Sequence, residues 1–130
     1  MKTMFYLAGK ATAKERLRQM RDRVVAGVFG LADCNSRWLD HNLIESEVDK
    51  AGLLIEAQND IDDVAACDAF ILDTADESTT GGREVEFGYA LAHDLYTIVV
   101  GPQRNIFHYM ADEHYDDWLD YTASRWWPHD

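Results

Sequence analysis

Residues 69–102 read AFILDTADESTTGGREVEFGYALAHDLYTIVVGP. Two short apolar runs flank a polar loop and a helical pattern. The first run, Ala69-Phe70-Ile71-Leu72-Asp73, is continuously apolar until its closing aspartate. The second, Leu95 to Val100, is closed by Gly101-Pro102. Runs this short and this apolar read as strands covered on both faces. Between them a hydroxyl-rich loop, Thr74 to Gly82, leads into a helix from about Gly82 to His93. Strand, helix, strand in that order predicts a parallel crossover.

The alternation continues outward. Met4 to Gly9 reads as the first buried strand. Thr12 stands three residues before Glu15, which is capping-box spacing. Leu17, Met20, Val24 and Val28 follow at helical intervals, predicting a helix over Ala13 to Val28. Asp33 to Leu39 is read as a second strand despite its polar content. Asn42 and Glu45 make another capping pair, ahead of a helix containing Val48, Leu53 and Leu54. Asp60 and Asp63 mark the start of a further helix, with Ile61, Val64 and Ala65 facing the core. Asp116 to Arg125 is the terminal helix. The expected class is α/β: an open, mainly parallel sheet with helices on both faces. The 130 residues suit one domain, 1–130. Ligands of such sheets bind beyond the carboxyl ends of the strands. Here that rim comprises Gly9-Lys10, Asn35 to Trp38, Thr74 to Gly82 and Gly101 to Asn105.

Composition narrows the function. Hydrophobic residues make up 47%, enough to build a core. The formal net charge of −12 repels phosphate backbones and anionic membranes, so neither nucleic acid nor membrane is an expected partner. A small anionic ligand stays compatible, because backbone N–H groups bind phosphate without a basic surface. The start of the chain lacks a signal-peptide pattern, and no apolar run reaches membrane-spanning length. Cys34 and Cys67 are too few for a disulfide framework and read as reduced thiols of a cytoplasmic protein. The histidines, His41, His93, His108, His114 and His129, show no metal-ligand spacing, so no metal or cofactor is expected. His108 is read as a surface residue. Lys14, Arg16, Arg18, Arg21 and Arg23, interspersed with Glu15 and Asp22, read as a solvated helix face.

Chemistry concentrates in Thr79-Thr80-Gly81-Gly82-Arg83-Glu84-Val85-Glu86-Phe87-Gly88-Tyr89-Ala90. A helix N-terminus after a glycine loop favours an anion. Glu86 lies about one turn into that helix, where the positive helix end is expected to keep it ionised, as a nucleophile requires. The structural alternative is that Glu84 and Glu86 merely complement the helix dipole. The small Gly88 and Ala90 then bring the helix close to the sheet. Asp60 has a plain alternative too, as a helix N-cap.

Val85-Glu86-Phe87-Gly88-Tyr89-Ala90-Leu91 resembles the segment around the nucleophilic glutamate of the nucleoside 2-deoxyribosyltransferase family, which includes nucleoside 5′-monophosphate N-glycosidases. Asp60, ahead of Cys67-Asp68-Ala69-Phe70-Ile71, matches the family's spacing. Phe5-Tyr6-Leu7-Ala8-Gly9 resembles its first strand and substrate-facing turn. The resemblance implies a flavodoxin-like, Rossmann-like sheet and cleavage or transfer of an N-glycosidic bond. It further implies Glu86 as nucleophile, Asp60 as acid/base or sugar-orienting group, and Tyr6 holding Glu86 by a hydrogen bond. Two carboxyl groups about 5 Å apart suit a covalent, retaining route. Gly9, Lys10, Thr80, Gly81 and Gly82 are then candidates for binding substrate. In Ser36-Arg37-Trp38, similar to a family segment near the base, Trp38 would stack on a base and Arg37 would meet its edge or a phosphate. Asn105, in Arg104-Asn105-Ile106-Phe107, resembles an asparagine that reaches a neighbouring subunit's sugar site, so a homo-oligomer of at least two chains is expected. Two tryptophans near the end, Trp126 and Trp127, point to docking on the core or a neighbour.

One departure from the family matters. Classical transferases carry an acidic residue six positions before the nucleophile, and here Thr80 stands there. The monophosphate glycosidases have a hydroxyl residue at that place. Asp76 is the alternative source of a carboxylate. Nucleoside and nucleotide substrates, transfer and hydrolysis, all stay open. A non-catalytic nucleotide-sensing module is the reading from another class, and a flavin-binding electron carrier shares only the fold class.

Overall fold

The computed structural model describes residues 2–27, 31–41 and 47–124. Five parallel strands form one sheet in the order β2-β1-β3-β4-β5. They are β1 (Thr3–Ala8), β2 (Ala32–Cys34), β3 (Ala69–Asp73), β4 (Tyr96–Val100) and β5 (Glu113–Tyr115). The helices are α1 (Lys14–Gly27), α2 (Lys50–Ala66), α3 (Gly82–Ala92) and α4 (Trp118–Ser124). This is a flavodoxin-like strand order, whose topological switch point lies between β1 and β3.

Side-chain alternation divides the core between the two faces. Phe5 and Leu7, with Ile71 and Ile98, meet Leu17 and Val24 of α1 and Trp118 and Tyr121 of α4. Tyr6, Phe70 and Val99 point the other way, to Val64 of α2 and Phe87 and Ala90 of α3. Fully burying a side chain such as Phe5 or Leu72 is worth about 1.5–3 kcal/mol. None of the described helices is long and apolar enough to cross a membrane.

Several expectations are corrected. The second strand stops at Cys34, and Arg37–Asp40 is a short 3-10 turn. The physical reason lies in Leu7, which gets side-chain partners where a longer β2 would have supplied backbone. Its N–H donates to Ser36 Oγ at 2.7 Å, and its carbonyl accepts from Trp38 Nε1 at 2.9 Å. Thr12 caps nothing, since Ala11–Ala13 form a 3-10 turn with no side-chain cap that runs into α1. The two helices expected around Leu53 and Asp60 are one 17-residue helix. Its cap is Asp49, accepting from Gly52 N at 2.8 Å, so Asp60 is mid-helix and not an N-cap. Asn42, Glu45, Val28, Trp126 and Trp127 lie outside the described residues. The polar edge strand β5 gives no apolar run to detect. Gly88 does not bring α3 to the sheet: it is exposed, with open space where a Cβ would sit.

The turns after β3 and β4 interlock. Thr74 Oγ1 donates to Pro102 O at 2.7 Å, and Gly101 N donates to Tyr115 O at 2.8 Å. Gly101 has φ +124°, and a Cβ there would meet Thr74 Oγ1 at 2.5 Å. Gly101→Ala is therefore expected to lower unfolding free energy by about 2 kcal/mol or more in urea titration, through backbone strain and this clash.

Candidate active site

The site is built on the end of β3. Asp73 is fully buried, and its carboxylate accepts from Arg16 Nη1 and Nη2, both at 2.9 Å, and from Trp118 Nε1 at 2.6 Å. Arg16 also reaches Asp76 at 2.8 Å. Arg83 Nη1 donates to the Asp76 carbonyl at 2.7 Å, and Arg104 donates to the carbonyls of Thr74 at 2.7 Å and Ala75 at 3.0 Å. Three guanidinium groups thus hold the 73–76 turn. The basic side of α1 is therefore not simply solvated: besides Arg16, Arg21 pairs with Asp40 at 2.9 Å. Asp76 is held by Arg16, which lowers its carboxyl pKa through that hydrogen bond.

A cavity of about 240 Å³ opens at the switch point, its lining including Gly9, Trp38, Thr80 and Gly82. Glu86 and Asp60 both face it. Tyr6 is fully buried beneath, stacked on Phe70 with ring centroids 5.6 Å apart. Its hydroxyl donates to Glu86 Oε2 at 2.6 Å. Burial raises the Tyr6 pKa, and the neighbouring Glu86 raises it further, so the phenol stays a donor. Burial also pushes Glu86 up to about 8; the Tyr6 hydrogen bond opposes this, and Asp60 and Asp63 add to it. This corrects the expectation that the helix end keeps Glu86 ionised. Gly81 is the N-cap, which puts Glu86 five residues into α3, past the first turn where the dipole acts. Burial also raises Asp60, to about 6, with Glu56 and Asp63 next among the causes.

The structure brings Gly9, Trp38, Asp60, Thr80, Gly82 and Glu86 to one cavity. Trp38 also packs on both core clusters, so it belongs to wall and core together. Other candidates stand elsewhere. Arg37 is turned to Asp63, with Nε 2.9 Å from Oδ1. Lys10 lines an adjoining recess. Gly81 supplies the left-handed turn, φ +79°, that starts α3. Asn105 is exposed and donates to Glu84 Oε1 at 2.6 Å, beside a separate apolar groove along α3. His108 is fully buried rather than superficial: Nδ1 accepts from Arg104 N at 3.0 Å and Nε2 lies 2.5 Å from Glu84. Ala11, which the sequence does not single out, also lines the cavity, together with Ser78 of the expected rim and Arg83. Arg83 sits among glycines and glutamates, where it looks like an ordinary surface charge, yet it is only 6% exposed and burial lowers its pKa.

No family model and no curated protein sequence matches the chain. The fold is similar to solved structures. A 2-deoxyribosyltransferase from Bacillus psychrosaccharolyticus has a TM-score of 0.72 at 16% identity, over 95% of this chain and 93% of that one. A CMP N-glycosidase from Clostridium botulinum has a TM-score of 0.61 at 16% identity, over 93% of this chain and 96% of that one. A 2-deoxyribosyltransferase from Leishmania mexicana has a TM-score of 0.53 at 23% identity, over 85% of this chain and 73% of that one.

Glu86 is an acid whose folded-state pKa, about 8, lies above its ordinary 4.5. Between those values the unfolded chain releases the proton that the folded one keeps, so rising pH costs stability across this window. Glu86→Gln is expected to melt a few degrees above the natural protein at pH 8. The difference should vanish below about pH 4.5, where both states hold the proton. Differential scanning fluorimetry across pH 4–9 checks this.

Proposed function

We propose that this chain is a member of the nucleoside 2-deoxyribosyltransferase family and cleaves or transfers the N-glycosidic bond of a nucleoside or nucleotide, with Glu86 as nucleophile. One observation carries the reading: a buried tyrosine hydroxyl 2.6 Å from Glu86 fixes that carboxylate in a cavity it shares with Asp60. The similarity of fold to a 2-deoxyribosyltransferase and a CMP N-glycosidase supports it.

The chemistry follows from charge. Breaking the C1′–N bond leaves positive charge on the sugar. Glu86 attacks C1′ and forms a glycosyl ester as the base departs, while Asp60 in its acid form protonates the leaving nitrogen. An acceptor base then gives transfer, and water gives hydrolysis. Both carboxyls have raised pKa values, Asp60 about 6 and Glu86 about 8, so from about pH 6 to about pH 8 the pair holds one proton, which rests on Glu86. The productive arrangement puts it on Asp60 and leaves Glu86 ionised. Developing positive charge at C1′ favours that arrangement.

The second reading is hydrolysis of a nucleoside 5′-monophosphate, favoured by Thr80 and Gly82 on the cavity wall at the start of α3. Either reading expects a homo-oligomer of this chain. Val85, Ile106 and Phe107 are each more than half exposed, and Val85 and Phe107 line the apolar groove beside Asn105. Light scattering at micromolar concentration should give at least twice the 14.9 kDa chain mass; a monomer would remove any role for Asn105 in a neighbour's site.

Chromatography of a panel of nucleosides and 5′-monophosphates, with and without an acceptor base, tests the activity. Natural protein should release base and Glu86→Ala should not. Product that depends on the acceptor identifies a transferase, and product in water alone a hydrolase. Ligand binding without any turnover favours the sensing module. Asp60→Asn is expected to reduce kcat about 10²-fold. The kcat/KM profile should be a bell with limbs near pH 6 and pH 8, the window in which the pair holds one proton.

A further inference from the structure

Glu56, Asp60 and Asp63 stand at helical spacing along one face of α2. The outer two are matched. Glu56 Oε1 lies 2.7 Å from His41 Nδ1, and Asp63 accepts from Arg37 Nε at 2.9 Å and from Arg37 N at 3.1 Å. The middle one is bare. Among the described residues the Asp60 carboxyl makes no hydrogen bond or ion pair, and it faces the cavity. Like charges one turn apart disfavour a helix. Two anions fixed on either side of a bare third therefore cost stability, and their benefit lies in what they do to Asp60.

The flanking carboxylates act differently. Asp63 raises the proton affinity of Asp60 and of Glu86 alike. After burial, Glu56 is the largest influence on Asp60, yet it is not among the groups that act on Glu86. His41 and Arg37 oppose it at Asp60. Lys14 of α1, Tyr6 of β1 and Glu86 of α3 also lie within electrostatic reach of Asp60. Glu56 is not among the residues lining the cavity, so it acts through Asp60 and not on the substrate. In the resting pair the proton is on Glu86, whereas attack requires it on Asp60. A carboxylate that acts on Asp60 alone narrows that difference.

We infer that Glu56, fixed by His41, is a positioning residue for the reaction: its carboxylate, one helical turn from Asp60, favours the arrangement in which the shared proton lies on Asp60 and Glu86 is free to attack. The assignment rests on the glycosidic reading above and adds to it what distributes the proton.

Carbon-detected NMR titration of the side-chain carboxyls tests the inference without turnover. Glu56→Gln keeps a hydrogen-bonding partner for His41 and removes the charge. The Asp60 midpoint, near pH 6 in the natural protein, is expected to fall in this variant, while that of Glu86 stays near pH 8. His41→Gln, which still bonds Glu56 but cannot be a cation, should move the Asp60 midpoint the opposite way. Melting curves establish that the variants are folded; if Glu56→Gln is not, His41→Gln carries the comparison. In turnover, Glu56→Gln should lower the plateau of the kcat/KM profile about threefold to tenfold and move its low-pH limb to lower pH. A merely structural loss would lower the plateau and leave the limb in place. An unmoved Asp60 midpoint, equal movement of both carboxyls, or an unmoved low-pH limb overturns the assignment. Because the titration needs no turnover, failure of the natural protein to release base from any substrate overturns the glycosidic reading separately.

Discussion

The buried carboxylate of Asp73 is the constraint on which the rest of the site depends. It ends the central strand in a fully buried position, so it must be matched where it stands. Arg16 from α1 meets it with two hydrogen bonds, Trp118 from α4 adds a third, and the N–H of Ala75 a fourth at 3.0 Å. Removing Arg16 would leave the buried carboxylate short of its strongest partner, which is destabilising even though Arg16 itself is partly exposed. One side chain thereby fixes the two helices on one face of the sheet relative to the strand end. It also sets the turn whose carbonyls hold Arg83 on the opposite side.

From that turn the chain passes through Ser78 and Thr80 into α3, and α3 carries Glu86 over the end of β1. The carboxylate finds Tyr6 there, on the strand face that packs against α2 and α3. Burial and repulsion from neighbouring carboxylates raise both carboxyls, more than the helix dipole lowers them. Glu86 stands too far into α3 for the dipole to dominate, and the low-polarity floor of Tyr6 and Phe70 penalises its charge. In the proposed mechanism, nucleophile and acid are distinguished by which of the two carboxyls holds the proton.

Much of this was legible in the chain. Continuous apolar runs at Met4–Gly9, Ala69–Leu72 and Leu95–Val100 announce buried parallel strands, because both faces of such strands are covered. Glu86 and Tyr6 were identified through a family resemblance and not through spacing, since a glutamate in an early helix turn is physically unremarkable. The misreadings have local causes. Asp60 looks like an N-cap because aspartate is a good one, yet the preceding Asp49 takes that role and the helix runs on. Arg37-Trp38 looks like a pair on one strand edge; in the structure Asp63 takes the arginine and Leu7 O takes the tryptophan.

Sequence alone determined the class of the fold and its main strands β1, β3 and β4, because hydrophobic periodicity and glycine-rich breaks are written residue by residue. It also pointed to the 79–90 segment as the candidate for chemistry. Tertiary structure decided what each charged group does. Whether an arginine is a surface charge or a buried, half-matched cation, and whether a glutamate is ionised, depends on neighbours brought in from distant segments. Tyr6 and Glu86 are 80 residues apart in the chain and 2.6 Å apart in space. Electrostatic and hydrogen-bond energies are set by that second separation, and no local pattern in the sequence records it.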